Sequence, residues 1–395
     1  MSLADLRRDE FDAAHAAREL RRAVFEDGQS DRLADLIAAE QRLEQASHAR
    51  AAEEAQSGAA QGPVVAINPA SALLGPATTG LDVDVQLRMT TIPTSLVHTF
   101  QVATHPLVSY TIKNTRQEKK RLRLISYVEG YSARAVTTVE VAFNVPEKAS
   151  QLPTFFPSAL AGVTELTRAS VNVEVQDLDQ RTEVHTTVPV WLLARTSAPL
   201  QVLDPSKGTW LDVTPYLGAF VTPNAASVTE CLRAAAGRHP QKKFVGYQQD
   251  AKAVEDQVRA IYEELTARQI IYVNSIIDFT PEAGTNTQRV RLPRETLQTK
   301  SANCIDGTLL MASLLESASI NPAIVIVPGH AYLGWETGRR NGQWAYVETT
   351  VLAEKSFDQA VAQARDLTTS LEAKAAPPKR HSLRDLRAAG ITPAE

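Results

Sequence analysis

The feature that most constrains this chain is a change of hydrophobic period along its length. Between residues 80 and 203 the segments LDVDVQLRM, PLVSYTIKNT, KRLRLISYVEG, TTVEVAFNV, ASVNVEVQDLD and RTEVHTTVPVWLL alternate apolar and polar side chains and are rich in Val and Thr. A period of two puts every second side chain on one face, so each segment predicts a strand with one face to bury. Such strands, separated by turn residues, have to pair and stack on one another.

The stretch therefore predicts an antiparallel β-sandwich of immunoglobulin-like size over residues 80–203. The Cys and Trp hallmarks of true immunoglobulin domains are absent, so only the architecture is expected. His98 and His105 fall within it and read as structural histidines. On either side the period changes. Residues 3–27 carry Leu3, Leu6, Phe11, Leu20, Val24 and Phe25 at helical spacing before Gly28, and Leu33, Leu36, Ile37 and Leu43 continue that period after Ser30. Residues 1–58 thus predict a helical hairpin, which alone buries little and needs a surface: the rest of the chain, a protein partner or a second copy. Residues 59–79, rich in Gly, Pro, Ala and Ser, predict a linker.

From residue 204 the pattern is mixed. PNAASVTECLRAAAGR and QDAKAVEDQVRAIYEELTARQI predict helices, the second capped by Asp250. A helix beginning near Asn303 is followed by AIVIV, HAYLGWET and QWAYVETT as strands, with GRRNG as the turn between the last two. SFDQAVAQARDLTTSLEAKAA predicts a helix capped by Ser356, closing an α+β domain over residues 204–376. After Pro377 and Pro378, residues 377–395 read as a basic tail with one short helix.

Composition narrows the function classes. A formal charge of -4, with 44% hydrophobic and 22% charged residues, gives no reason to expect nucleic acid or an anionic membrane as partner. The N-terminus has no signal-peptide core and no stretch approaches the roughly 18 apolar residues of a membrane span, so the expected location is cytoplasmic. The two cysteines, Cys231 and Cys304, make no disulfide framework, and no Cys or His pair has zinc-ligand spacing. No metal or cofactor is expected.

Chemistry concentrates in SANCIDGTLLMASLLESAS. Ile305, Leu309, Leu310, Leu314 and Leu315 wrap a helix that is apolar on most sides, hence buried, with Cys304 in its first turn. The free N–H groups and positive dipole end of a helix N-terminus favour a thiolate and offer donors to an oxyanion. Asp306, in the same turn, opposes a thiolate unless it faces away or binds backbone. A nucleophile needs a base, and the base an orienting acceptor; His330 in VPGHAYLGW and Glu348 in WAYVETT supply both types. If residues 338–342 form the hairpin loop, His330 lies opposite Thr350 and Glu348 opposite Tyr332. The two are then diagonal neighbours on one face, roughly 7–8 Å apart at the backbone. A register shifted by one residue would separate them onto opposite faces.

NCIDGTLLMASLLESASINPAIVIVPGHAYLGW followed by WAYVETT resembles the transglutaminase-like superfamily of papain-like fold. Its pattern is a Cys-x-Asp at a helix start, a His beginning a strand and an acid ending the next. The resemblance covers residues 240–352 at most, and Glu348 stands where Asp is commoner. The versions with GHA and ETT resemble a bacterial subgroup found within large multidomain proteins. By that resemblance Cys304 is the nucleophile, His330 the base, Glu348 the third acidic residue and Asp306 its second supporting acid. Gln298 is placed like the oxyanion glutamine of papain-like enzymes, with Asn303 or a backbone N–H as alternatives. Tyr332 and Trp335 are candidates to wall a peptide groove, though their strand spacing fits ordinary sheet packing at least as well. The expected activity is acyl transfer on a protein or peptide substrate, with water as acceptor; the alternative is a retired enzyme serving as scaffold or binding module.

Overall fold

The computed structural model describes residues 3–25, 32–57, 66–67, 80–178, 182–204, 209–273, 287–327, 329–373 and 377–394. Gly28, Ser30 and most of the expected linker lie outside them; within that linker, Ala66–Ile67 forms a strand paired with Leu81–Leu87. The chain is a mixed α+β protein of two compact units. One comprises Met1–His48, Val213–Ile277 and Gln288–Glu395, the other Ala49–Asp212 and Asp278–Thr287.

The second unit contains the period-two segments. Ala66–Ile67, Leu81–Leu87, Val108–Asn114 and Glu147–Gln151 form a four-stranded sheet in that order. Thr91–Ile92, Thr182–Leu192, Thr167–Asp177, Lys120–Val128 and Ala135–Val141 form a five-stranded one. All pairings are antiparallel except Thr91–Ile92 with Thr182–Leu192. Alternation turns Val83, Val85 and Leu87 from one sheet, and Leu122 and Leu124 from the other, into the core. Gln151 of the first sheet donates to the Leu124 carbonyl at 2.9 Å and to Thr137 Oγ1 at 3.0 Å in the second.

The first unit is built on a four-stranded antiparallel sheet ordered Trp344–Val347, His330–Glu336, Pro322–Val327 and Lys379–Ser382. The helix Cys304–Ser317 is buried from Ile305 to Leu315 and packs on the two central strands. Its mean apolarity, high on every side, is what a helix fully enclosed by its domain requires. Asp250 caps Ala251–Ala267, its carboxylate accepting from the Ala253 N–H at 2.9 Å. Ser356 likewise precedes Phe357–Ala373, with the Gln359 N–H 3.4 Å from its hydroxyl.

One expectation is corrected. Residues 377–395 are not a free tail: Lys379–Ser382 adds the edge strand beside Pro322–Val327, and Leu383, Leu386 and Ile391 are buried. Their basic character misleads because the charges have inward partners. Arg384 Nη1 donates to the buried Glu336 at 2.7 Å, and Arg387 pairs with Glu316 at 2.8 Å while donating to the carbonyls of Gly218 and Val221. The hairpin, Leu3–Phe25 with Leu33–Ser57, takes the rest of the chain as its surface. Val24, Leu36 and Ile37 share a core with Val325, Val327, Tyr332, Ala364 and Leu371, the surface that a two-helix element needed to bury its apolar stripe.

Candidate active site

Cys304 is the first residue of its helix and is partly exposed. Asn303 caps that helix: its Oδ1 accepts from the Asp306 N–H at 2.8 Å, and Asp306 Oδ2 accepts from the Asn303 N–H at 3.2 Å. This reciprocal pair satisfies two donors that a helix start otherwise leaves open. Asp306 also accepts from the Arg291 N–H and from Arg291 Nη1, each at 2.7 Å. The carboxylate thus faces the cap and Arg291. Burial pushes its pKa above the usual carboxylate range, against these hydrogen bonds and the Arg291 charge.

His330 opens its strand directly after Gly329, whose φ of 68° lies in the left-handed region that glycine enters without strain. Val327 pairs with His330, so the turn between the central strands delivers the imidazole at the sheet end. In the next hairpin Leu333 pairs with Val347 and Glu336 with Trp344, the register that sets Glu348 diagonal to His330. The side chains meet: His330 Nε2 lies 2.7 Å from Glu348 Oε2, with both residues buried. Burial lowers the His330 pKa, but the charge of Glu348, a hydrogen bond to Cys304, the hydrogen bond to Glu348 and the charge of Cys304 outweigh it, raising it to about 10. Glu348 moves the other way. Burial raises it, and the His330 charge, the His330 hydrogen bond and two bonds from Thr350 bring it below its ordinary value. Both shifts favour the imidazolium–carboxylate form of the pair.

Four residues to which the sequence reading assigned no role complete the arrangement. Thr350 donates its N–H at 3.0 Å and its hydroxyl at 2.8 Å to Glu348 Oε1. Thr349 is buried against Gly307, where an added Cβ would meet Thr349 Oγ1 at 3.1 Å and Cβ at 3.2 Å. The glycine is what lets the acid-bearing segment approach the helix one turn from Cys304. Thr308, next to it, donates to the Cys304 carbonyl at 2.7 Å. The signal was present in DG after the cysteine and TT after the glutamate, but neither carries chemistry until the segments are known to touch.

The remaining predicted residues divide. Asn303 uses Oδ1 for the Asp306 N–H and Nδ2 for the Arg289 carbonyl at 2.9 Å, so it serves as cap in place of oxyanion donor. Gln298 is exposed on the short helix Pro293–Thr299. Tyr332 and Trp335 line no groove. Both are fully buried, Tyr332 hydrogen-bonded to Thr368 at 2.7 Å and Trp335 packed 6.3 Å from Phe357 between ring centroids; inward-facing strand positions claim large aromatics for the core. Cys231 is buried, and burial pushes its thiol up to about 11, the environment of an inert cysteine. Among the described residues no group of three or more His, Cys, Asp or Glu could hold a metal ion, and no helix is long and apolar enough to cross a membrane.

No family model matches the chain, and no curated protein matches it. Among solved structures, the crystal structure of a FixG-related protein from Vibrio parahaemolyticus is similar at 10% identity. That match covers 28% of this chain and 94% of that one at a TM-score of 0.20, a level of likeness that carries no argument about fold or function.

Proposed function

We propose that this chain is a cysteine-dependent acyl-transfer enzyme acting on a peptide or amide, with a transglutaminase-like domain of papain-like fold and an immunoglobulin-like sandwich. Cys304 is the nucleophile, His330 the acid and base, and Glu348 the carboxylate that orients it. The observation that supports this most is the buried chain of contacts in which His330 bonds Glu348 at 2.7 Å and also engages Cys304. A cysteine at a helix start, an imidazole beside it and a carboxylate behind it are the parts that nucleophilic catalysis needs.

The chemistry follows from these positions. The Cys304 thiolate attacks the amide carbon, and the developing oxyanion meets N–H groups of the first helical turn, ahead of the first backbone bond from Gly307 N–H to the Asn303 carbonyl. Gln298 is the second donor that the papain-like resemblance implies. The tetrahedral species collapses with the C–N bond breaking as His330 gives its proton to the departing amine, leaving a thioester on Cys304. Water, giving a proton to His330, attacks the thioester and releases the acid and the thiolate. Among the described residues no feature of the site selects a lysine in place of water, and the proposed reaction is hydrolysis, as protease or amidase.

Alkylation tests it without a known substrate. Iodoacetamide at neutral pH is expected to label native Cys304 well ahead of Cys231, and faster than either thiol in the unfolded chain, by peptide mass mapping. Equal, slow labelling of both cysteines would refute the enzyme and favour a retired scaffold.

A further inference from the structure

Resting on that triad reading, we propose that Thr350 is a positioning residue: it grips Oε1 of Glu348 with two donors so that Oε2 is the oxygen presented to His330. A carboxylate buried at 0% exposure has two oxygens to satisfy. Oε2 meets His330 Nε2 at 2.7 Å, and Oε1 accepts the Thr350 N–H at 3.0 Å and hydroxyl at 2.8 Å. Both donors come from one residue two positions along the chain, so the clamp forms locally wherever the backbone turns after Glu348. That backbone is itself fixed. The Glu348 N–H donates to the Ala360 carbonyl at 3.2 Å, and Thr349 sits tight on Gly307. The carboxyl group therefore cannot rotate without breaking hydrogen bonds on both oxygens.

The hydroxyl has a specific electrostatic consequence. A hydrogen bond to the ionised form favours it, and both Thr350 bonds lower the Glu348 pKa against burial. His330, Tyr262 and Tyr332 also couple to Glu348 by charge, and Cys304 couples to His330; burial raises both tyrosines, so they stay neutral through the acid and neutral range. Arg291 and Asp306 pair with each other. Changes in the Glu348 titration on altering Thr350 thus report on the clamp.

The test uses Thr350→Val, which keeps the shape and the N–H but removes the hydroxyl, and Thr350→Ser, which keeps the hydroxyl. Full-length protein labelled with carboxyl-13C glutamate is titrated by NMR, the Glu348 signal being assigned from its loss in Glu348→Gln. Thr350→Val is expected to raise the Glu348 midpoint by about one pH unit, and to speed solvent exchange of the imidazole proton in the His330–Glu348 hydrogen bond. Thr350→Ser is expected to restore both. A side chain that only packs predicts no change in Thr350→Val, because its volume is conserved. Iodoacetamide labelling of His330→Ala separates the two levels of the argument. Slowed Cys304 labelling there, beside an unchanged Glu348 midpoint in Thr350→Val or an equal shift in Thr350→Ser, overturns the clamp alone. Cys304 labelling unaffected by His330→Ala overturns the triad and the clamp with it.

Discussion

Gln151 and Glu348 occupy comparable places in the two units: each is buried at or just past the end of a strand, and each has both terminal atoms engaged. Gln151 accepts from the Tyr110 hydroxyl at 2.9 Å and donates to the Leu124 carbonyl and the Thr137 hydroxyl. Its partners are neutral and fixed, so the group cross-links two sheets and has no proton to exchange. Glu348 is held as firmly, but by an imidazole that reaches a partly exposed thiol. Equal burial and equal hydrogen-bond satisfaction therefore produce a structural tie in one sheet and a chargeable relay in the other. The difference lies in whether the chain of partners ends on neutral hydroxyls and backbone or on a thiol.

The largest effect expected is on Cys304. Cys304→Ala should abolish turnover, by about 10³-fold or more on any substrate found, while the urea midpoint barely moves, since a partly exposed thiol leaves little cavity. A variant that keeps activity would place Cys304 with Gln151 among structural residues. Next in size is removal of residues 1–58. Leu36 and Ile37 are inserted in the same core as Tyr332 and Val325, and each large buried aliphatic lost costs about 2–5 kcal/mol. A few such losses rival the roughly 5–15 kcal/mol that holds a protein folded. The truncated chain should lose cooperative unfolding of the cysteine-bearing unit, as read by calorimetry. A sharp transition in the truncated protein would show that the hairpin is dispensable.

How much of this was legible depends on the range of the interaction. The strands at 80–203 and the helix starting after Asn303 follow from side-chain period, which is local. The pairing of Leu333 with Val347 followed from the length of the GRRNG turn, and with it the meeting of His330 and Glu348. For Tyr332 and Trp335 strand spacing left a groove and sheet packing both open; they stand on opposite faces of His330–Glu336, every residue of which is buried, and the cover comes from residues distant in sequence, such as Val24, Leu36 and Phe357. The edge strand Lys379–Ser382 was hidden for the same reason. Its partner, Pro322–Val327, lies more than 50 residues earlier, and its charge pattern looked solvated. Gly307 and Thr349 were illegible individually, because a close approach belongs to neither segment alone.

Third in size is the stability of the buried ion pair. His330→Ala leaves Glu348 buried without its cation and should cost about 3–5 kcal/mol in urea unfolding, whereas Gln151→Ala should cost about 1–3 kcal/mol through unpaired neutral groups. Their pH dependence separates them. The His330 pKa is raised, from 6.5 to about 10, so its contribution is complete below about pH 6.5 and is lost as pH rises through 10. The Glu348 pKa is lowered from 4.5, so its contribution is present above pH 4.5 and is lost as pH falls through the lowered value. The gap between wild type and His330→Ala should be widest between pH 4.5 and 6.5 and narrow on both sides. The Gln151→Ala gap should stay constant, and a His330→Ala gap equally flat would mean that the pair is not charged.

The smallest effect expected is at Gly307. In an exposed helix, replacing glycine with alanine stabilises by about 1 kcal/mol, because alanine loses less backbone entropy on folding. Here the new methyl would stand 3.1 Å from Thr349 Oγ1 and 3.2 Å from its Cβ, and the Thr349 backbone cannot retreat without dragging Glu348 from His330. Gly307→Ala should therefore reverse the usual sign and destabilise by about 1–2 kcal/mol. Since the strain is relieved by moving the acid-bearing segment, Cys304 alkylation should slow in the same variant. Gly237→Ala provides the control. It lies in the helix Ala226–Arg238, where an added Cβ meets nothing within 4 Å, so stability should rise by the ordinary amount and Cys304 should react as before. Stabilisation of both variants with unchanged thiol reactivity would show that the Glu348–Thr350 segment yields freely, and that the site holds its geometry without this contact.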